Sequence, residues 1–166
     1  MKHQLTEHDI QKMKEEIEHR KVVVRKELLE HVKEARAHGD LSENFEYHAA
    51  KKEKNRNESR IRYLERMIRN SKVVEEEQDK DTVGIDTTVE LLFEEDQETD
   101  TFSIVTTVLV DTLENRVSIE SPIGKALKGH KVGDRVYIQV RPDFGYYVVI
   151  RSISPFSDDG LSINEF

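Results

Sequence analysis

His38-Gly39-Asp40-Leu41-Ser42-Glu43-Asn44 separates two long stretches whose apolar residues repeat at helical spacing. Before it, from Glu7 to Ala37, there is neither Gly nor Pro, and Ile10, Met13, Ile17, Val24, Leu28, Val32 and Ala35 recur at steps of three, four or seven. That pattern predicts one long helix. After it, Tyr47, Ala50, Lys54, Asn57, Ile61, Leu64 and Ile68 alternate steps of three and four, a coiled-coil seam with two polar interruptions. Gly39 suits the left-handed position after a helix end, and Asp40 suits the cap of the next helix. So short a link requires antiparallel helices, an arm of roughly 45 Å at 1.5 Å per residue. Two carboxylates, Asp40 and Glu43, then stand at its far end.

Toward the N-terminus, Thr6 is positioned to cap the first helix, with Asp9 placing negative charge in its first turn. Beyond Ser71 the pattern changes. Residues 75–81 form an acidic connector, and apolar residues then alternate with period two over Thr88–Phe93, Phe102–Leu109, Arg116–Glu120, Arg135–Val140 and Tyr146–Ile153. These read as strands of a small antiparallel sheet. A short helix over Ile123–Leu127 comes after Pro122, a residue suited to a first helical turn, and Ser157-Asp158-Asp159-Gly160 reads as a tail. The fold class is therefore α+β: a helical hairpin over 1–74, a connector over 75–81, a sheet domain over 82–154 and a tail over 155–166.

The chain has 166 residues with a formal net charge of -8. Residues 1–80 carry 19 basic and 18 acidic side chains, residues 81–166 only 7 against 16. Overall field attraction to nucleic acid is excluded, so any such contact is local. With no cysteine, disulfides and thiolate metal sites are excluded as well. No apolar run approaches a membrane span and Met1-Lys2-His3-Gln4-Leu5 does not begin a signal peptide. The expectation is a cytoplasmic protein with no membrane partner. A hairpin that satisfies its own seam is expected to be monomeric.

Arg36-Ala37-His38-Gly39-Asp40-Leu41-Ser42-Glu43-Asn44-Phe45-Glu46-Tyr47-His48-Ala49-Ala50-Lys51 closely resembles the signature of the bacterial Gre family of transcript cleavage factors. The match continues through Arg60-Ile61 and Leu64-Glu65 to Ile68, and a second signature appears at Ser121-Pro122-Ile123-Gly124-Lys125-Ala126-Leu127. The resemblance implies an N-terminal antiparallel coiled coil followed by an FKBP-like domain. It further implies that this domain docks at the rim of the secondary channel of bacterial RNA polymerase. The coiled coil then reaches the active centre, where the factor stimulates hydrolysis of the nascent RNA near its 3' end in backtracked complexes. The factor would be an accessory protein rather than an enzyme.

By the same resemblance, Asp40 and Glu43 act as the catalytic pair, helping to hold a Mg2+ ion shared with the polymerase active site, or positioning the attacking water through it. Mg2+ prefers a few carboxylates together with water and phosphate oxygens, and a second ion assists phosphodiester hydrolysis. Neither acid needs a shifted pKa, because a metal ligand is wanted ionised. The same Asp40-x-x-Glu43 spacing is also that of a capping box, and the two roles are compatible.

Asn44, Glu46 and Tyr47 are read as support for the tip: Asn44 as a cap or brace, Glu46 as a first-turn acid or a contributor to the tip's field, Tyr47 as a seam residue. Arg36 and Lys51 either contact RNA or polymerase or are solvated arm residues. His48 has no second His at ligand spacing beside it and no Cys, which argues against a metal ligand. Ser121, Pro122 and Ile123 form the candidate docking loop, or alternatively a strand-to-helix turn with Ile123 in the core.

Three features depart from the family pattern. Phe45 stands where a small residue is more usual, Val108–Leu113 replaces a more acidic stretch, and the chain from Ser154 to Phe166 extends past the usual end. A divergent relative that occupies the channel and modulates or inhibits transcription without stimulating cleavage is the competing expectation. A prolyl isomerase or chaperone is disfavoured because fold alone does not carry function, and a free-standing nuclease because two exposed acids without a pocket hold Mg2+ poorly.

Overall fold

The helical hairpin owes its register to a polar layer inside an otherwise apolar seam. The computed structural model describes residues 2–39, 44–75, 79 and 81–165, and they divide into two units: residues 10–71, and residues 2–9 together with 72–165. Strand β1 (His3–Leu5) precedes helix α1 (Glu7–His19); a π-helical segment over Arg20–Val24 leads into α2 (Arg25–Arg36). Helix α3 (Phe45–Arg69) returns antiparallel to α2 and is followed by β2 (Ser71–Val73), which pairs with β1.

All seven predicted seam residues of α3 are buried or half-buried, with Asn57, Ile61 and Leu64 fully so. Glu16 lies opposite them, accepting from Arg20 Nε at 2.7 Å and from Arg60 Nε at 2.8 Å. Arg60 is only 8 % exposed, so this charge is tolerated because it is paired. Outside the layer, Lys21 to Glu65 at 2.9 Å and Arg25 to Glu58 at 2.8 Å bridge the helices. Such exposed pairs are each worth roughly 0–1 kcal/mol and act more on alignment than on stability.

The single helix expected over Glu7–Ala37 is interrupted. Between Arg20 and Val24 the chain widens by one residue, and the Arg25 amide donates to the Arg20 carbonyl five residues back. Val22, Val23 and Val24 are three consecutive β-branched residues, which crowd a regular helical turn, and a π turn relieves that crowding.

The second unit is built on a five-stranded sheet of order β5-β4-β3-β7-β6, from β3 (Thr87–Phe93), β4 (Glu98–Val105), β5 (Arg116–Ser118), β6 (Arg135–Arg141) and β7 (Phe144–Pro155). Alternation places Val89 and Leu91 of β3, Val136 and Ile138 of β6, and Val148 and Ile150 of β7 in one core, closed by Leu127 of α4 (Pro122–Leu127). The sheet is antiparallel except at β4 and β5, which pair in parallel, so the sheet expected to be wholly antiparallel is mixed. The strand expected to run on to Leu109 stops at Val105, and Thr107–Leu109 forms a 3-10 turn instead. The short strands β1 and β2 had no period-two signal long enough to read.

At the start of α1, Thr6 and Asp9 form a reciprocal capping box: Asp9 N–H donates to Thr6 Oγ1 at 3.1 Å and Thr6 N–H donates to Asp9 Oδ2 at 3.0 Å. Thr106 Oγ1 also donates to Asp9 Oδ2, at 2.7 Å, so all three buried side chains are satisfied. The residues after Pro155 do not trail freely. Ile163 is 4 % exposed, the Asn164 amide donates to the Val108 carbonyl at 2.9 Å, and Asn164 Nδ2 donates to the Thr107 carbonyl at 3.0 Å. The extension is thus hydrogen-bonded to the start of the apolar 108–113 stretch, another departure from the family pattern.

Candidate functional site

Two structural features converge on the link between the hairpin helices. Helix α2 ends in a turn in which the Ala37 amide donates to the Lys33 and Glu34 carbonyls, and Gly39 comes next but one with φ of +119°, a conformation that a Cβ would strain. Helix α3 begins at Phe45 with Asn44 as its cap: Asn44 Oδ1 accepts from the Tyr47 amide at 3.0 Å. Asn44 thus takes the capping role expected of it, while the cap expected of Asp40 lies outside the described residues. The same Asn44 side chain donates from Nδ2 to the Ala35 carbonyl at 2.6 Å. One amide thus binds the Ala35 carbonyl of α2, which also accepts from the His38 amide, and an orphan N–H of α3, fixing the separation of the two helix ends.

Asp40 and Glu43, the sequence's catalytic and metal-holding pair, lie in residues 40–43, outside the described residues. Around the link, Tyr47 is half-buried, and the Arg36 guanidinium carbon lies 5.7 Å from its ring centre. The nearby Arg36, with the charges of Lys51 and Lys54, holds the phenol below its ordinary pKa. Glu46 is exposed, with its Oε2 3.2 Å from His38 Nδ1. Phe45, the first residue of α3, is 86 % exposed.

A groove of about 360 Å3 runs along the hairpin below the link and includes His31, Glu34, His38, Glu46 and Glu53 in its lining. Despite these donors, no group of three or more His, Asp or Glu among the described residues is arranged to hold a metal. His48 stands apart from that groove, edge-on to Tyr47 with ring centres 5.5 Å apart.

In the second unit, Ser121 caps α4, accepting from the Gly124 amide at 3.1 Å and donating to the Ser118 carbonyl at 2.6 Å. Pro122 is exposed at the first helical position, while Ile123 is half-buried against the core. Of the two, Pro122 is the more exposed. Beside it lies a shallow concavity of about 400 Å3 lined by Glu120, Pro122, Lys125, Ala126, Tyr137 and Gln139. Tyr137 and its cross-strand neighbour Tyr147 were not singled out from sequence; their rings lie 5.0 Å apart, with Arg135 3.6 Å over Tyr147. Their period-two positions on the solvent side of β6 and β7 were the available signal.

Comparison with known proteins agrees with both parts. Residues 3–73 match the family described as transcription elongation factor, N-terminal, and residues 78–155 the one described as transcription elongation factor, GreA/GreB, C-term. The transcription elongation factor GreA of Thermoanaerobacter pseudethanolicus is 47 % identical over 137 residues, covering 82 % of this chain and 87 % of that protein. That of Acholeplasma laidlawii is 40 % identical over 152 residues, covering 92 % and 96 %. A solved structure of the transcription factor Gfh1 is 26 % identical and covers 92 % of this chain and 97 % of its own, with a TM-score of 0.46. Two family matches in order over nearly the whole chain, with relatives of this identity, make the chain a member of the GreA/GreB family of transcription elongation factors.

Proposed function

We propose that the protein enters the secondary channel of bacterial RNA polymerase and stimulates endonucleolytic cleavage of the nascent RNA in backtracked complexes. The observation that supports this reading most is the double hydrogen bond of Asn44 to both helices. It fixes the separation of the two helix ends between which the chain carries Asp40 and Glu43. A link anchored at both ends loses less freedom when its carboxylates engage a reacting phosphate.

Two carboxylates are hard oxygen donors, the ligand type that suits Mg2+ together with water and phosphate oxygens. Bound with them, Mg2+ supplies electrostatic stabilisation of the charge that develops on the phosphate and polarises the attacking water. Asp40 and Glu43 contribute ionised oxygens; the polymerase contributes the remaining ligands and the enclosure. The protein acts as an accessory factor, and the nuclease activity is intrinsic to polymerase. Pro122, with the concavity beside it, forms the contact at the channel rim.

The test is RNA cleavage in a purified backtracked elongation complex, with polymerase binding measured in parallel. Wild-type protein is expected to stimulate cleavage, and Asp40→Ala/Glu43→Ala to bind without stimulating it. Binding without cleavage by the wild type would replace this reading with channel occupancy alone.

A further inference from the structure

Leu113 is 94 % exposed, at the crown of the turn that leads from Asp111 into β5. It ends the apolar 108–113 stretch, whose first two residues, Val108 and Leu109, are buried. The turn itself is closely tied. Asp111 and Arg116 exchange main-chain hydrogen bonds at 3.1 and 2.9 Å, and Asp111 Oδ1 accepts from the Leu113 amide at 3.0 Å. Asn115 takes a left-handed conformation with φ of +53°, and its Nδ2 donates to Asp100 Oδ1 at 3.2 Å and to the Thr101 carbonyl at 3.0 Å. An aliphatic side chain is thus presented on a backbone fixed at both ends, which loses little freedom when a partner covers it.

The charge around the turn selects the kind of partner. Asp100 and Glu114 are both exposed. Arg116, the one basic residue from 111 to 116, is spent within the turn: its Nε donates to the Leu109 carbonyl at 2.8 Å, its Nη2 lies 3.5 Å from Asp111 Oδ2, and its side chain is only 16 % exposed. The turn therefore shows acid to the outside. That repels nucleic acid and anionic lipid, both of which are held by Lys and Arg. It also opposes a symmetric pair of this chain, because a two-fold contact would set the same acids against each other. A protein surface with an apolar socket bordered by Lys or Arg satisfies both features, the socket taking Leu113 and the border meeting Asp100 and Glu114. An apolar centre with a polar rim is the usual anatomy of such a contact.

Resting on the proposed function, we infer that the Leu113 turn is a second anchor of the sheet domain on the polymerase, inserting Leu113 into an apolar socket bordered by cations. The turn stands before β5, whereas Ser121 and Pro122 come after it, so the two contacts are made by separate loops.

The experiment measures binding of the full-length protein to bacterial core RNA polymerase over a range of salt concentrations, with RNA cleavage in backtracked complexes followed for the same variants. Leu113→Ser is expected to raise the Kd at least about ten-fold, the scale of one aliphatic side chain left out of an apolar site, and to keep the wild-type salt dependence. Leu113→Met is expected to bind as the wild type does. Asp100→Asn/Glu114→Gln is expected to weaken binding at low salt and to flatten its salt dependence, which an apolar contact alone does not do.

Wild-type affinity in Leu113→Ser would overturn the anchor and leave the proposed function standing. An unchanged salt dependence in Asp100→Asn/Glu114→Gln would overturn it as well, by removing the cationic border. Binding that Leu113→Ser weakens, without cleavage by the wild type, keeps the anchor and removes the cleavage reading. Absence of any binding by the wild type overturns both.

Discussion

Asn57 and Arg20 are joined twice across the hairpin: Arg20 Nη1 donates to Asn57 Oδ1 at 2.9 Å, and Asn57 Nδ2 donates to the Arg20 carbonyl at 3.4 Å. The carbonyl is the same one that accepts from Arg25 at the π turn. A polar seam residue therefore sits against the one place where the opposing helix is out of regular register. Only one alignment of the helices brings the two together, which is how a buried Asn specifies a coiled-coil register.

Replacing Asn57 by Ala leaves the Arg20 and Glu16 layer without one of its partners, and the expected loss is about 1–3 kcal/mol. The helical signal in urea denaturation measures it. Asn57→Leu is expected to recover much of the stability while loosening the choice of register, which would appear as broadened resonances of α3.

Glu16 gives the hairpin a pH dependence. Burial pushes its carboxyl up, but hydrogen bonds and charges from Arg60 and Arg20 outweigh burial and hold it below its ordinary value. A lowered folded value makes the stabilisation complete above the ordinary carboxylate range near about 4.3. It is lost as the pH falls through the lowered value. Hairpin stability should therefore decline on acidification below about pH 4. Glu16→Gln should be less stable than wild type at neutral pH and show a shallower acid slope; parallel slopes would contradict the assignment.

Gly124 is required by close approach rather than by its dihedrals. A Cβ there would stand 2.2 Å from the Ser118 carbonyl oxygen and 2.7 Å from the Ile119 Cα, both main-chain atoms. Gly124→Ala is expected to destabilise the second unit by about 1–3 kcal/mol, at the upper end because main chain yields less readily than a side chain. It should also displace the loop bearing Ser121 and Pro122, read as weakened polymerase binding with cleavage at saturation unchanged.

Ile163 tests the packed extension. Ile163→Ala should cost about 2 kcal/mol or more in the thermal melt of the second unit, whereas a free tail would give no change. The variant leaves the hairpin's acid response untouched.

Much of this was legible in the sequence. The α3 seam from Tyr47 to Ile68 was written in its three-four steps, the cap of α1 in Thr6, and the start of α4 in Pro122. The π turn was hidden because a seven-residue step from Ile17 to Val24 fits a regular heptad equally well. Arg60 was not read as a seam residue because its burial depends on Glu16, 44 residues away, and local periodicity does not see such partners. The packing of Ile163 was missed for a related reason. Ser157-Asp158-Asp159-Gly160 has the composition of a loop, and Asn164 beyond it is held by the Thr107 and Val108 carbonyls rather than by any period in the sequence. At the hairpin link the spacing allowed Asp40 or Asn44 as cap, and only the bonds of Asn44 to Tyr47 and Ala35 decide between them.

The most direct test of the account is the Mg2+ dependence of RNA cleavage in backtracked complexes saturated with wild type, Asp40→Asn or Glu43→Gln. If the two carboxylates help to hold the ion, each neutral variant should need more Mg2+ for half-maximal cleavage. Excess Mg2+ should then recover part of the rate. Cleavage by both variants at the wild-type rate, with the same Mg2+ requirement, would contradict the account.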